Sequence, residues 1–208
     1  MSTLSDLIAR AAADLKDVTH VTWSAEELTG HLRRALREID LAAPLPAAAT
    51  LTPAAGGYTL DLASLGDVVD VTDVWYPYDA AGDLPPERPF WQWLTASSLL
   101  LELDEPADGV KAARVLYLQP HAIAGLDGAL LTTLDRFAES LLVLGATAAA
   151  VEQASLARTG AVTIAASTPD QLARWAQARR EQFERGLVRL SSRRWRMVDA
   201  RVPWGEEV

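Results

Sequence analysis

Residues 23–39 read WSAEELTGHLRRALREI, and this stretch determines how the N-terminal part of the chain is interpreted. Ser24 and Glu27 have the spacing of a capping box, in which the two side chains satisfy amide groups at the start of a helix. Leucine, alanine and isoleucine then recur at steps of three and four residues, which predicts an amphipathic helix. This helix must end before Pro44, because proline cannot continue it.

Three further stretches have the same helical period. In the stretch 4–15 the apolar side chains form one stripe along the helix. In the stretch 134–151 they cover nearly the whole circumference of the helix, as is typical of a central core helix. Thr168 followed by Pro169 predicts the start of a fourth helix, whose apolar period ends at Ser191 and Ser192. The four helices are predicted to pack as a bundle.

Between residues 47 and 120 the pattern changes to short runs of alternating, β-branched or aromatic residues, which predict strands. Short strands that follow one another closely favour an antiparallel meander or a small sandwich. The predicted fold class is therefore α+β, mainly α: a four-helix bundle with a β-rich insertion and an extended C-terminal tail. The predicted segments are an N-terminal helical pair (1–46), the insertion (47–120), a second helical pair that completes the bundle (121–192) and the tail (193–208).

The charge of the chain is −9 and is unevenly distributed. Residues 174–208 contain nine arginines and five acidic residues, a net charge of +4, and the remainder therefore carries −13. An acidic body argues against general duplex-DNA binding, which requires clustered cations. The longest apolar run, Leu141 to Val151, is shorter than the roughly 20 residues of a membrane span, and no secretory signal is expected at the N-terminus.

No catalytic, cofactor-binding or metal-binding residues are predicted. The chain has no cysteine, no nucleophile elbow and no glycine-rich phosphate loop. The three histidines lack a second ligand at metal-binding spacing and are interpreted as structural: His20, His31 and His121. Three aspartates are interpreted as a solvated strand pattern, with the middle one facing away from the others: Asp67, Asp70 and Asp73. We therefore expect no enzymatic activity and no cofactor.

Tryptophans lie in two places where a partner could bind, and in one of them they are combined with arginines. Beyond the last periodic helix lie Arg193, Arg194, Trp195, Arg196, Arg201 and Trp204. These residue types dominate interface hot spots, so the segment is interpreted as a docking tail, although it could also fold back on its own bundle. Trp91 and Trp93 share one face of a predicted strand and are either a sandwich core or a subunit contact.

The order of these elements resembles the head-to-tail adaptor, or connector, proteins of tailed bacteriophages. The likeness is carried by the helix start W-S-A-E-E-L at residues 23–28 with Leu32, Leu36 and Ile39, and by the alanine-rich third helix from Phe137 to Ala154. The resemblance implies a ring of twelve copies beneath the portal protein, in the neck of a virion assembled in the host cytoplasm. Such a ring extends the DNA channel without gripping the DNA and supports a tail or stopper protein.

The resemblance further implies that the C-terminal segment docks on the portal and that the β-rich insertion contacts a neighbouring subunit or the next ring. Three alternatives stay open. The protein could be another neck subunit, such as a stopper or tail-completion protein. It could be a regulator with a nucleic-acid-binding tail, or an enzyme whose site has no recognisable motif.

Overall fold

The computed structural model describes residues 2–80, 87–159 and 167–199. The chain divides into two compact units. Among the described residues, the helical unit contains those up to Ala43 and those from His121 to Asp199, and the β unit spans Pro44–Pro120.

Four α-helices form the helical unit: α1 (Leu4–Asp14), α2 (Ala25–Ala42), α3 (Arg136–Thr159) and α4 (Ser167–Asp199). The capping box predicted at Ser24 and Glu27 is confirmed at the start of α2, and a second one, formed by Thr3 and Asp6, starts α1. Helix α3 packs against the other three helices, and their shared core buries large side chains completely, among them Leu7, Leu32, Ile39, Leu142 and Phe183. Each such side chain contributes about 1.5–3 kcal/mol through burial.

Glycines allow α3 and α4 to approach each other closely. A Cβ atom at Gly145 would lie 2.7 Å from the Phe183 ring, and one at Gly186 would overlap the side chain of Leu141. These two contacts define the antiparallel register of α3 and α4, in which Arg136, the first residue of α3, lies about opposite Ser191 of α4. Helix α4 therefore continues for about eight residues, or about 12 Å, past the start of α3.

Six strands form two three-stranded antiparallel sheets in the β unit, with strand orders β1-β6-β3 and β2-β5-β4. Their bounds are β1 Leu45–Leu51, β2 Thr59–Asp61, β3 Asp70–Tyr78, β4 Trp91–Thr95, β5 Ser98–Leu101 and β6 Ala112–Gln119, with a 3-10 turn at Ala63–Leu65. The unit has its own core, in which the large, fully buried side chains are Leu60, Leu62, Val74, Leu99 and Leu101.

The predicted fold class, a mainly α four-helix bundle with a β-rich insertion, is wrong. The protein is α+β, with four helices and two three-stranded sheets among the described residues. Strand β1 has no alternating signal, because its sequence LPAAATL consists mostly of alanine and other small residues. Its pairing with β6 along the full strand supplies the order that its own residues do not specify.

The extended tail predicted from residue 193 is also wrong as far as residue 199, because α4 continues to Asp199. The apolar period does end near Ser192, but the loss of a buried face does not end a helix. Ser192 is accommodated inside α4 because its hydroxyl donates a 2.8 Å hydrogen bond to the carbonyl of Val188, one turn earlier. The arginines that follow are good helix formers.

Candidate interaction surfaces

The first half of α4 is fixed to the two N-terminal helices by ion pairs. Arg180 makes a bidentate contact with Glu38 of α2, with nitrogen–oxygen distances of 2.8 and 2.6 Å. Arg179 pairs with Asp14 of α1, which also accepts a hydrogen bond from Thr147 of α3. The hydrogen bonds from Glu38 raise the pKa of Arg180 further above its ordinary value. These two arginines hold the helix in place and are not available to a partner.

The second half of α4 presents arginines beside an apolar groove. The groove lies between α3 and α4, with Phe137, Leu141 and Leu144 at its floor and Arg185 and Arg189 at its rim. Arg185 lies 3.8 Å from Glu181, while Arg189 has no ion-pair partner among the described residues. We call this surface the arginine-rimmed groove. Its volume of about 260 Å³ lies below the usual range of small-molecule sites, about 300–1,000 Å³.

The predicted docking residues Arg193, Arg194, Trp195 and Arg196 lie on the last turns of α4, in the part that continues past the start of α3. Their backbone is helical, so they are spaced at helical intervals and not along an extended segment. Arg201 and Trp204, the other two predicted docking residues, lie outside the described residues.

The two units differ sharply in charge. Residues 44–120 contain eleven acidic and three basic residues, a net charge of −8. The rest of the chain contains 17 acidic and 16 basic residues, a net charge of −1. Of the charge of −13 on residues 1–173, −8 therefore belongs to the β unit and −5 to residues 1–43 and 121–173.

The outer face of the β2-β5-β4 sheet is apolar in spite of this charge. Residues 89–101 contain no charged side chain, and exposed aromatic and aliphatic groups lie together on this face. We call this surface the apolar patch, formed by Tyr58, Phe90, Leu100 and Leu103. Phe90 is 69% exposed, which is unusual for a phenylalanine of a folded unit.

Trp91 and Trp93 lie on the opposite face of the same sheet. Trp91 pairs with Leu101 and is partly buried against the core of the β unit, whereas Trp93 is 39% exposed at the edge strand. The neighbouring Leu94, at a bulge in the same strand, is 55% exposed. The hairpin thus contributes one tryptophan to the core and leaves its other apolar side chains accessible.

Sequence reasoning missed a cluster of arginine and aromatic side chains in the β unit. The Arg88 guanidinium lies 5.7 Å from the centre of the Trp75 ring, and Arg114 lies 5.1 Å from that of Tyr78, whose hydroxyl accepts a 2.9 Å hydrogen bond from Arg114. Asp73 accepts a hydrogen bond from the Trp75 indole. The residues come from distant positions, so no sequence motif could reveal the cluster. The cluster contains two of the three basic residues of the β unit, Arg88 and Arg114.

The three histidines have structural surroundings. His20 contacts the carbonyl of Trp23, and His31 is buried in α2, where burial lowers its pKa. The two ring nitrogens of His121 lie 3.0 Å from the Ala43 carbonyl oxygen and 3.0 Å from the Thr133 hydroxyl. His121 thereby joins the two points at which the chain leaves the helical unit and returns to it.

The aspartates of the β unit are arranged differently from the prediction. Asp67 precedes β3, and a bulge between Val71 and Asp73 places Asp70 and Asp73 opposite Leu118 and Leu116, hence on the same face. Each of these two carboxylates accepts the amide hydrogen of the next residue. Within the ranges that the structure describes, no group of three or more potential ligands could hold a metal ion.

No model of a known protein family matches the chain, and no curated protein matches its sequence. In the described parts of the chain, no helix has both the length and the hydropathy required to cross a membrane. Function must therefore be inferred from the surfaces themselves.

Asp40 supplies a pH-dependent test of the helical unit. Its carboxylate accepts a 2.8 Å hydrogen bond from the amide of His121, and burial raises its pKa. A raised pKa in the folded state means that ionisation opposes folding, so Asp40 lowers stability as the pH rises from its unfolded pKa through its folded pKa. We expect Asp40→Asn, which retains an acceptor, to raise the free energy of unfolding at pH 7 by up to about 1 kcal/mol.

Urea denaturation between pH 4 and pH 7 measures this effect. The advantage of Asp40→Asn should shrink as the pH falls, because the wild-type carboxyl then becomes protonated. The exposed Asp67→Asn is the matched control and should show no comparable gain. A loss of stability in Asp40→Asn at pH 7 would contradict the assignment.

Proposed function

We propose that this protein is a structural subunit of the neck of a tailed bacteriophage, an adaptor whose copies form a ring between the portal and the tail or stopper protein. The observation that carries the proposal is the arginine-rich end of α4, which continues about 12 Å past the start of α3. This helix is anchored to α1 and α2 by Arg179 and Arg180, and it continues without a break from there to Asp199. The resemblance at residues 23–39 supplies the family.

A helix end that carries large side chains is suited to docking in a groove of a partner protein. Helix-in-groove recognition relies on large side chains three or four residues apart, a spacing that Arg193 and Arg196 have, and Trp195 lies between them in the sequence. Arginine and tryptophan are the residue types that contribute most to interface affinity. The corresponding portal surface should combine apolar and acidic residues.

The charge of the β unit supports a role beside a DNA channel. A unit of net charge −8 repels the phosphate backbone, so DNA can pass without being bound. The proposed function requires no catalytic group and no cofactor, only surfaces that bind the portal, the tail or stopper protein and other copies. It places the protein in the virion neck after synthesis in the host cytoplasm.

One observation favours a second candidate function. The β unit is a complete compact unit with its own core, which is more than a simple helical adaptor requires. A stopper or tail-completion subunit of the same neck would use such a unit to contact a different ring. The two candidates differ in whether the protein binds the portal directly.

Co-sedimentation with the portal ring encoded in the same genome tests the proposal. We expect stoichiometric binding of the full chain, and at least a tenfold loss of affinity, about 1.4 kcal/mol, in Arg193→Glu/Arg194→Glu. A chain that ends at Ser192 should lose binding as well, because it lacks the projecting turns of α4. Arg37→Glu/Arg174→Glu is the matched control, since it makes the same change of charge at two exposed positions, one near the C-terminal end of α2 and one near the N-terminal end of α4.

The outcomes separate the parts of the proposal. Binding that survives truncation at Ser192 would retain the adaptor and reject the docking site. Equal losses in the test and control variants would show that total charge, and not the end of α4, determines binding. No binding of the full chain would favour the stopper or tail-completion subunit.

A further inference from the structure

Three leucines are left exposed at one end of the helical unit. Leu41, in the last turn of α2, is 84% exposed. Leu130 and Leu131, in the connection between β6 and α3, are 89% and 69% exposed. A single exposed leucine is ordinary, whereas several at one end of a unit indicate an interaction surface. We call these three side chains the leucine surface.

The connection that carries the two adjacent leucines is held in place on both sides of them. On one side, Asp127 accepts two hydrogen bonds from Arg33 of α2, and Leu126 is buried in the helical core. On the other side, the hydroxyl of Thr132 donates a hydrogen bond to the carbonyl of Ser2. The backbone around the two leucines is therefore fixed, and it holds their side chains on the outside of the unit.

The leucine surface lies at the end of the helical unit where α4 continues past α3. The ring nitrogens of His121 lie 3.0 Å from the carbonyl oxygen of Ala43, just after α2, and 3.0 Å from the hydroxyl of Thr133, three residues before α3. The end of α2 and the start of α3 are therefore neighbours. Because the start of α3 lies about opposite Ser191, the last turns of α4 begin at this same end.

The last turns of α4 are too short to form a stable interface by themselves. A stable interface buries about 800 Å² on each partner and involves about 20–30 residues of each. Only about eight residues of α4 extend past the start of α3. A partner bound to these turns must therefore also contact the surface beside them. That surface offers the apolar area of the leucine surface and the positive charge of the exposed Arg136.

We propose that the leucine surface is a second part of the portal-docking site, which binds the portal together with the last turns of α4. This inference rests on the proposed function, for which it names further contact residues. The portal is the occupant because a partner held by the end of α4 lies over the same end of the helical unit. Its matching surface has an apolar recess for the leucines and acidic residues at the border, the usual arrangement of an apolar centre and a polar rim.

Co-sedimentation of the full chain with the portal ring tests the leucine surface directly. We expect Leu130→Asp/Leu131→Asp to reduce the affinity at least tenfold, because two apolar contacts are replaced by carboxylates that face an acidic border. The two side chains are exposed in the free protein, so the variant should retain its circular dichroism spectrum and melting temperature.

Val18→Asp/Val21→Asp is the matched control for this variant. The two valines are 71% and 83% exposed, and they lie in the loop between α1 and α2. Asp14, the last residue of α1, accepts a hydrogen bond from Thr147, well inside α3 and far from its first residue. The control therefore makes the same chemical change away from the proposed site, and it should bind the portal like the unaltered chain.

The absence of cysteine from the chain allows a second measurement that introduces no charge. Leu130→Cys and Val21→Cys place single thiols at positions of similar exposure, 89% and 83%. The rate at which a maleimide reacts with each thiol is measured with and without an excess of the portal ring. We expect the portal to slow the reaction of Leu130→Cys at least fivefold and to leave that of Val21→Cys unchanged.

The outcomes distinguish this inference from the proposed function. If the unaltered chain binds the portal but the aspartate variant binds equally well, or the thiol of Leu130→Cys is not protected, the leucine surface is rejected and the adaptor is retained. If the unaltered chain does not bind the portal, both are rejected. Protection of Leu130→Cys that increases with the concentration of this chain alone would assign the surface to a second copy and would also overturn the inference.

Discussion

Phe183→Ala is expected to lower the free energy of unfolding of the helical unit by about 3–5 kcal/mol. Phe183 is completely buried and is the largest of the fully buried side chains among the described residues. Its ring packs against Gly145 of α3, so its removal leaves a cavity at the closest contact between α3 and α4. Urea denaturation followed by circular dichroism measures the loss. The control Val188→Ala, on the exposed side of α4, should change stability by less than about 0.5 kcal/mol.

A double-mutant cycle with Gly145 tests the same contact independently. In the native background, Gly145→Ala should be destabilising, because the new Cβ would lie 2.7–2.9 Å from three atoms of the Phe183 ring. In the Phe183→Ala background the clash is gone, and alanine should stabilise the helix by up to about 1 kcal/mol relative to glycine. An effect of the same sign and size in both backgrounds would show that the two residues do not constrain each other.

Leu99→Ala is expected to lower the stability of the β unit by about 2–5 kcal/mol. Leu99 has no exposed surface and lies on the central strand β5, between Leu60 of β2 and Trp93 of β4. The two hydrophobic cores have no residue in common, so the loss should be confined to one unit. Hydrogen exchange, resolved by peptide, should show faster exchange in β4 and β5 with little change in α2 and α3.

The neighbouring Leu100 is the matched control for this variant. It lies on the outer face of the same strand and is only partly buried, so Leu100→Ala should cost clearly less than Leu99→Ala. The same substitution removes one side chain of the apolar patch and should leave the unit folded. Equal losses of stability at the two positions would contradict the assignment of inner and outer faces.

The sequence allowed the helices to be predicted well, because capping and apolar period are local properties. Ser24 and Glu27 form their predicted hydrogen bonds, and the residues of α2 that recur at helical spacing are the buried ones. The end of α4 was predicted too early, since the apolar period records where a helix is buried and not where it ends. Strand β1 was missed for a related reason: its alanines and threonine acquire order only by pairing with β6.

The surfaces were harder to predict than the elements that carry them. Trp91 and Trp93 were identified as a possible contact, yet the exposed apolar surface lies mainly on the other face, with Tyr58 and Phe90. The groove between α3 and α4 combines residues almost 50 positions apart, and the ion pair of Asp14 with Arg179 spans 165 positions. Such combinations depend on the packing of helices, which a single sequence does not encode in any local pattern.

The two ends of the β unit are neighbours. Leu45 pairs with Gln119 at the open end of the β1–β6 ladder, and His121 hydrogen-bonds to the carbonyl of Ala43 just outside it. The chain thus leaves the helical unit and returns to it at two adjacent positions, one residue pair apart. If this segment were deleted, or replaced by one of different length and charge, the same short distance between Ala43 and His121 would have to be bridged. The β unit could therefore be exchanged for another segment without any change in the sequence of the helices.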